Sequence, residues 1–261
     1  MSLLLVDIGN TRVKWVVLRG EKLSRMRALA HDGKGEALRR VVRSVRRKVD
    51  GVLAVCVAGA RLERALAAAV RKELDLPVDF ARSTRSAGGV RNGYGDPWRL
   101  GADRWVGVIA AHALAGARTV LVVNVGTALT IDAVDARGRH RGGAIAPGPS
   151  TMIASLLAGT AGIRRRARGS AAGSAARSRG LFAAGTARAL RAGANYASAA
   201  LVDRAVHEAR ATLGGTPRVL LTGGAAGVIR PYIKSPVLMV PDLVLHGLAV
   251  LSRADGPRKR V

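Results

Sequence analysis

The sequence predicts an α/β protein built from two related halves, and three observations carry that expectation. Short apolar runs alternate with segments of helical period along most of the 261 residues. An apolar run that ends in a polar residue and a glycine turn occurs twice, as Asp7-Ile8-Gly9-Asn10-Thr11 and as Asn124-Val125-Gly126-Thr127-Ala128. A second apolar run follows each turn, so both read as β-hairpins. Two copies of one hairpin, nearly half a chain apart, predict an internally duplicated architecture with a cleft between the halves. The preferred boundary lies near Ala115–Arg118, which divides the chain into domains 1–117 and 118–261.

The elements follow in order. Leu3–Leu18 forms the first hairpin, and Leu23–Leu29 continues it as a further strand. His31–Gly35 is a loop, and Glu36–Val49 has helical spacing with a basic outer face. Gly51–Ala58 is a β-rich run of the kind that forms a buried strand. Arg61–Leu74 reads as an amphipathic helix and Pro77–Phe80 as a short strand. Ser83–Leu100 is rich in glycine and polar residues, too interrupted for core structure, and reads as a loop of the type that carries function. Gly101–Leu114 is a helix whose apolar face includes Trp105, Val106, Ile109, Ala113 and Leu114. Beyond the second hairpin, Thr119–Val134, the stretch Gly142–Ser150 reads as a Gly/Pro turn and Thr151–Leu157 as the start of a helix. Gly162–Gly180 is an Ala/Ser/Arg tract expected to be a mobile loop. Phe182–Ala211 is helical in period, Arg218–Leu221 is a strand running into Thr222-Gly223-Gly224, and Leu243–Leu251 is a terminal helix.

Composition narrows the function classes. With 49% hydrophobic residues but only 3% aromatics, the core is made mostly of Leu, Val, Ile and Ala. A net charge of +26 attracts polyanions. The excess is Arg rather than Lys and is dispersed, as an Arg- and Ala-rich coding bias would produce, so a nucleic-acid partner is not the expectation. Residues 162–180 are the best local candidate for a polyanion contact. Cys56 is the only cysteine, which excludes an intrachain disulfide and a thiolate metal site; it reads as a buried, inert thiol. The opening apolar stretch is short and broken by Asp7, so no signal peptide is expected, and no run approaches a membrane-spanning length. A cytoplasmic protein is the expectation.

Chemistry concentrates in a few places. At the first hairpin Gly9 permits close backbone approach by an anion, Asn10 and Thr11 donate hydrogen bonds, and Lys14 supplies a charge. Asp7 would repel phosphates unless a divalent ion lay between, and Mg²⁺ suits that place, held directly or through water. A plain tight turn capped by Asp7 is the alternative. The second hairpin carries Gly126, Thr127 and Thr130, with Asn124 where the first has Asp7. Gly223 and Gly224 leave room for an adenine or ribose against backbone, or simply end a strand. Asp103 is placed to accept a proton from an alcohol and Arg104 to bind a carboxylate or phosphoryl group, although a first-turn Asp also complements a helix N-terminus.

Taken together these motifs resemble the type III pantothenate kinases, over nearly the whole chain. Asp7–Lys14 is similar to the family's first phosphate motif, and Asn124–Ala128, with Gly142-Gly143 and Pro147-Gly148 after it, to the second. Tyr94 and Pro97 with Gly101-Ala102-Asp103-Arg104 resemble the pantothenate motif, in which the Asp accepts the proton. Gly185-Thr186 resembles the segment whose Thr reaches substrate across a dimer, Thr222-Gly223-Gly224 the adenosine loop, and Pro241–Leu248 the terminal signature. The resemblance implies an actin-like (ribonuclease H-like) two-domain fold, phosphorylation of pantothenate by ATP, Mg²⁺, a monovalent cation (K⁺ or NH₄⁺) and a homodimer. The family usually has an Asp at position 124 that helps hold the monovalent cation; Asn124 brings an amide oxygen without the charge. A regulatory or nucleic-acid-binding protein on the same scaffold, and a kinase for another small hydroxylated substrate, are the alternatives.

Overall fold

Alternation of side chains across the first sheet decides which helices cover it. The computed structural model describes residues 1–45, 49–168 and 180–254, which group into two compact units. Unit 1 holds Met1–Ala117, Ala136–Arg141 and the chain from Asp242 onward; unit 2 holds Arg118–Asp135 and Gly142–Pro241. The chain therefore crosses between units after residues 117, 135, 141 and 241.

In unit 1, strands β1 (Ser2–Ile8), β2 (Arg12–Arg19), β3 (Lys22–Leu23) and β4 (Arg27–Ala30) are followed by helix α1 (Glu36–Ser44) and strand β5 (Gly51–Cys56). Helix α2 (Ala60–Leu74), strands β6 (Asp79–Phe80), β7 (Ser86–Ala87) and β8 (Val90–Arg91), and helix α3 (Ala102–Ala115) complete this part. The main sheet runs β3-β2-β1-β5-β6, with β4 also on β2. β1 and β2 are antiparallel, whereas β1–β5 and β5–β6 are parallel. Leu4, Val6, Ile8, Val13 and Trp15 bury one face with Leu38 of α1 and Leu66 of α2. With a period of two, Asp7 and Lys14 fall on the other face.

Unit 2 repeats the plan. Strands β9 (Val120–Val125), β10 (Ala128–Val134) and β11 (His140–Pro147) precede helices α4 (Pro149–Gly159), α5 (Ala161–Arg168) and α6 (Thr186–Leu213). Strand β12 (Arg218–Thr222), the short helix α7 (Ala226–Ile229) and strand β13 (Leu238–Met239) complete it. The sheet order is β11-β10-β9-β12-β13, with β9–β10 antiparallel and β9–β12 and β12–β13 parallel. Leu121, Val123 and Leu129 pack with Val202 and Val206 of α6. The last helix, α8 (Leu243–Ala254), belongs to unit 1, where it packs on α3, β1 and β5. Gly247 makes the α3–α8 approach possible: a Cβ there would lie 2.1 Å from the Val106 carbonyl oxygen.

Several expectations need correction. Gly142–Ser150 is not a turn but the end of β11 and the start of α4. β11 is an edge strand, where Gly and a terminal Pro are tolerated because few ladder bonds are required of them. Ala161–Arg168 is helical rather than a loop; residues 169–179 of the tract lie outside the described residues, as do 46–48 within the expected Glu36–Val49 helix. Ala113 and Leu114, assigned to the apolar face of α3, are exposed, whereas Ala111 and Ala115 are the buried residues of its last turn. The strand expected over Leu23–Leu29 breaks into β3 and β4. Cys56 is buried and free, and burial pushes its thiol up. Among the described residues no helix is long and apolar enough to cross a membrane.

Two glycines give opposite expectations. Gly247→Ala should destabilise by about 1–3 kcal/mol, since the added methyl meets backbone. Gly193→Ala, exposed within α6 and with nothing near its Cβ position, should stabilise by about 0.5–1 kcal/mol. Denaturant unfolding of both variants checks the pair; loss of the sign difference refutes the packing account.

Candidate active site

Cross-strand register builds the first part of the site. Asp7 pairs with Lys14 as Cα partners next to the turn that joins β1 to β2. The Gly9 amide donates to the Arg12 carbonyl at 3.0 Å, closing the tip and leaving Asn10 and Thr11 exposed. His31 secures it: Nε2 donates to the Gly9 carbonyl at 2.7 Å, Nδ1 accepts from the Gly33 amide, and the His31 amide donates to the Thr11 carbonyl. That pattern specifies the neutral Nε2–H tautomer. Gly9 is not among the residues with left-handed φ, and a Cβ there would make only ordinary contact with Arg12. The turn does not demand glycine; an uncrowded backbone amide is what glycine provides here.

The electrostatics of this corner centre on Asp7. Burial pushes its carboxyl up to about 7; the Lys14 ammonium opposes that shift, and the Asp103 and Asp242 carboxylates reinforce it. Lys14 Nζ lies 3.3 Å from Asp242 Oδ1. Among the described residues no three His, Cys, Asp or Glu side chains gather as a metal-binding group. A carboxylate at the corner, next to a tip of exposed amides, fits a Mg²⁺ ion whose remaining ligands are phosphate oxygens and water.

The loop over Ser83–Leu100 folds around Asn92. Its Nδ2 donates to the Thr84 and Pro97 carbonyls, and its Oδ1 accepts from the Tyr94 amide. Ser83 Oγ donates to the Leu100 carbonyl at 2.6 Å, fastening the far end. β7 and β8 form a small hairpin inside this loop, and Pro97–Arg99 a single 3₁₀ turn. The chain then passes through Gly101, whose carbonyl accepts from the Trp105 amide, into α3. Ala102 is the first helical residue; Asp103 Oδ1 accepts from the Arg104 amide at 2.8 Å. Arg104, though charged, is only 8% exposed and donates to the Tyr94 hydroxyl at 3.2 Å. The Tyr94 ring stacks on His140, with centroids 5.8 Å apart. His140 also touches Gly93: a Cβ there would lie 2.0 Å from its carbonyl oxygen.

Unit 2 carries the second tip, held differently. The Gly126 amide donates to the Ala128 carbonyl at 2.9 Å, so this tip is one residue tighter than the first. The Thr127 carbonyl accepts from the Gly148 amide and from Thr151 Oγ1. Gly148 backs the tip so closely that a Cβ would lie 2.0 Å from the Gly126 carbonyl oxygen. Asn124 pairs with Thr130 on β10 and Thr222 on β12. Gly223 has φ +99, and a Cβ there would meet the Val125 carbonyl at 2.4 Å and Asn124 Oδ1 at 2.6 Å. Glycine is required at that turn by both conformation and space. Gly224 is exposed beside it, and Thr186 opens α6.

Unit 1 thus gathers Asp7, Gly9, Asn10, Thr11, Lys14, Tyr94, Gly101, Ala102, Asp103 and Arg104, and unit 2 holds Asn124, Gly126, Thr127, Thr186, Gly223 and Gly224. Sequence reasoning missed His31, Asn92, His140 and Asp242. Only Asp242 had a local signal, its place after a proline at the head of a helix. His140 could not be found from pattern, because it reaches Tyr94 across 46 residues (140 − 94).

A sheet repeated in the same strand order, with a glycine tip at the same place in each copy, defines the two-domain actin-like fold, here carrying the residues of a phosphotransferase. The chain belongs to the type III pantothenate kinase family: residues 3–208 match the family model of that description. A type III pantothenate kinase of Aromatoleum aromaticum is 40% identical over 253 residues, 97% of this chain and 98% of that protein. One from Nitrosococcus oceani is 33% identical over 265 residues, 99% of this chain and 96% of that protein. Among solved structures, a conserved Baf family protein from Campylobacter jejuni aligns over 96% of this chain and 97% of its own, with a TM-score of 0.58 at 19% identity. Component A of Acidaminococcus fermentans (R)-2-hydroxyglutaryl-CoA dehydratase aligns over 97% of each chain, with a TM-score of 0.53 at 14% identity.

The Asp7 carboxyl makes stability depend on pH. Its folded value, about 7, lies above its ordinary 3.8, so its stabilising contribution is whole below about pH 4 and is lost as pH rises through about 7. Asp7→Asn should therefore raise the stability of the ligand-free protein at about pH 8, with the gain fading toward about pH 4. Guanidinium melts across that range test this; a pH-independent difference contradicts it.

Proposed function

We propose that this chain transfers the terminal phosphoryl group of ATP to the 4′-hydroxyl of pantothenate, with Asp103 as the base. The reading is carried by the arrangement of Asp103, Asp7 and Lys14 in one unit: Asp103 raises the Asp7 carboxyl while Lys14 lowers it. Family membership supplies the substrate. Asp103 accepts the hydroxyl proton as the new oxygen–phosphorus bond forms and the bond to the leaving ADP oxygen breaks. Arg104 and Tyr94, tied to each other at 3.2 Å, bind the substrate, with Gly101 and Ala102 shaping the start of α3. Lys14 and the exposed Asn10 and Thr11 take the phosphate oxygens at the first tip; Gly126 and Thr127 do so at the second. Gly223 and Gly224 accept the nucleoside. Mg²⁺, when bound, neutralises charge developing on the phosphates, and Asp7 is the residue to hold it, directly or through water.

Asp103→Asn keeps the shape and removes the base, so ATP binding should persist while turnover falls by about 10²-fold or more. A coupled ATP-consumption assay with and without pantothenate reads this. Near-normal turnover in the variant removes Asp103 from the mechanism, and salt-sensitive DNA binding without pantothenate-dependent turnover would replace the kinase reading with a regulatory one.

Asn124 bears on the monovalent cation. Its Oδ1 lies against the Gly223 turn, and it brings no charge, so K⁺ dependence should be weak in this chain and grow in Asn124→Asp. Rates with K⁺ and with an organic cation in its place decide; strong K⁺ activation of the unaltered protein refutes it. A homodimer follows from the same reading. Ile145, Leu156, Leu181 and Phe182 are exposed apolar side chains of unit 2, a surface a partner copy would cover, and Thr186 lies four residues beyond Phe182. Sedimentation should give a dimer that Phe182→Glu weakens; a monomer at micromolar concentration rejects it.

A further inference from the structure

We infer that Asp242 is a positioning residue for Lys14, holding its ammonium toward the nucleotide's phosphates and away from Asp7; the inference rests on the kinase reading above. Lys14 Nζ lies 3.3 Å from Asp242 Oδ1, with the side chains only 23% and 14% exposed. Other ion pairs of this unit are shorter but have an open cation: Arg43–Glu73 at 2.9 Å and Arg82–Glu63 at 2.6 Å each leave the Arg side chain 57% exposed. A screened surface pair does little to orient a side chain, whereas a covered one does.

Three further features fix the carboxylate. Asp242 has φ +58; the other non-glycine residue described with positive φ, Asp75, caps the C-terminal end of α2, where that conformation is usual. At the start of a helix an extended backbone is the norm, so the left-handed Asp242 is a local cost that Asp and Asn bear best. The Asp242 carbonyl accepts from the Leu245 and His246 amides, so the first turn of α8 fixes its backbone while its carboxylate goes to Lys14. Close packing of Gly247 on Val106 then ties α8 to α3, the helix that carries Asp103.

The arrangement answers a specific difficulty. Lys14 stands directly across the strand pair from Asp7, and a flexible lysine left to itself would fold onto that carboxylate, cancelling the charge a divalent ion needs. Asp242 offers a competing partner on the same side of the sheet. Lys14 then faces the tip as a restrained cation, and Asp7 remains available.

A double-mutant cycle tests this with Lys14→Met, Asp242→Asn and the two combined; Asn retains the tolerance for left-handed φ, and Asp242→Gly serves as a backbone control. Each single change should lower kcat/KM for ATP by about tenfold or more, with the KM for pantothenate within about twofold of the parent. Asp242→Gly should match Asp242→Asn, and the double variant should be no worse than Lys14→Met alone. A purely structural role would instead multiply the two losses and move the pantothenate KM. Multiplicative losses, a shared rise in both KM values, or parent-like kinetics in Asp242→Asn would each overturn the inference. Calorimetric binding of a non-hydrolysable ATP analogue to the same four proteins separates it from the kinase reading. If pantothenate-dependent turnover is absent in the parent, that reading fails, yet non-additive analogue affinities still support the Asp242–Lys14 linkage. Additive affinities, or no analogue binding by the parent, overturn it.

Discussion

The register of one antiparallel strand pair governs this site. With Asp7 opposite Lys14, the alternate residues Leu4, Val6, Ile8, Val13 and Trp15 are committed to the core shared with α1 and α2. A one-residue slip of either strand would send its charged residue into that apolar layer and turn its core residues out of it. Hydrophobic burial thus enforces the placement of two charged groups that contribute nothing to it. The same constraint chooses their neighbours, because the face they occupy is the one that α3 and α8 cover. Both helices begin with an aspartate in that corner, Asp103 at one and Asp242 at the other, and both raise the Asp7 carboxyl.

Duplication explains the frame, and divergence explains the chemistry. The two sheets share their strand order, β3-β2-β1-β5-β6 against β11-β10-β9-β12-β13, and an antiparallel hairpin followed by two parallel pairs. Yet the first tip has Asp7 before its glycine and Lys14 after, whereas the second has Asn124 and no lysine. The supports differ as well: an imidazole secures the first tip, and a glycine backbone with a threonine hydroxyl secures the second. One copy carries charge at its tip and the other does not, while a hydrogen-bonded glycine turn is present in both.

Much of this was legible in the sequence because buried strands and amphipathic helices announce themselves by period. Both hairpins, α2, α3 and the terminal helix fall where apolar spacing puts them, within a residue or three at their ends. β11 was illegible for a physical reason: its glycines and proline resemble a turn, and only a place at the sheet edge makes them tolerable as strand. The helix over Ala161–Arg168 was hidden by composition, since arginines and small residues carry little amphipathic signal. In the site, Asp7, Lys14 and Asp103 were readable from residue type at a turn or helix start. His31 and His140 were not, because each acts through a contact distant in sequence, and Asn92 was not, because its nearby partners are backbone groups with no pattern of their own. Asp242 and Lys14 each lay in a recognised motif, but nothing in the sequence pairs two residues so far apart.

The return of the chain to its first unit has a consequence for how the protein is made. Unit 1 needs α8 to cover β1 and α3, yet α8 begins at Leu243, after all of unit 2 has been synthesised. On the ribosome the N-terminal sheet must therefore wait with the face that bears Asp7 covered by α3 alone, while unit 2 has its full complement of described strands and helices earlier. Such late, sequence-distant closure is slow and leaves surface open to aggregation. Birth order and assembly order are reversed in this chain: the part translated first is sealed last, and the aspartate that restrains Lys14 arrives with the seal.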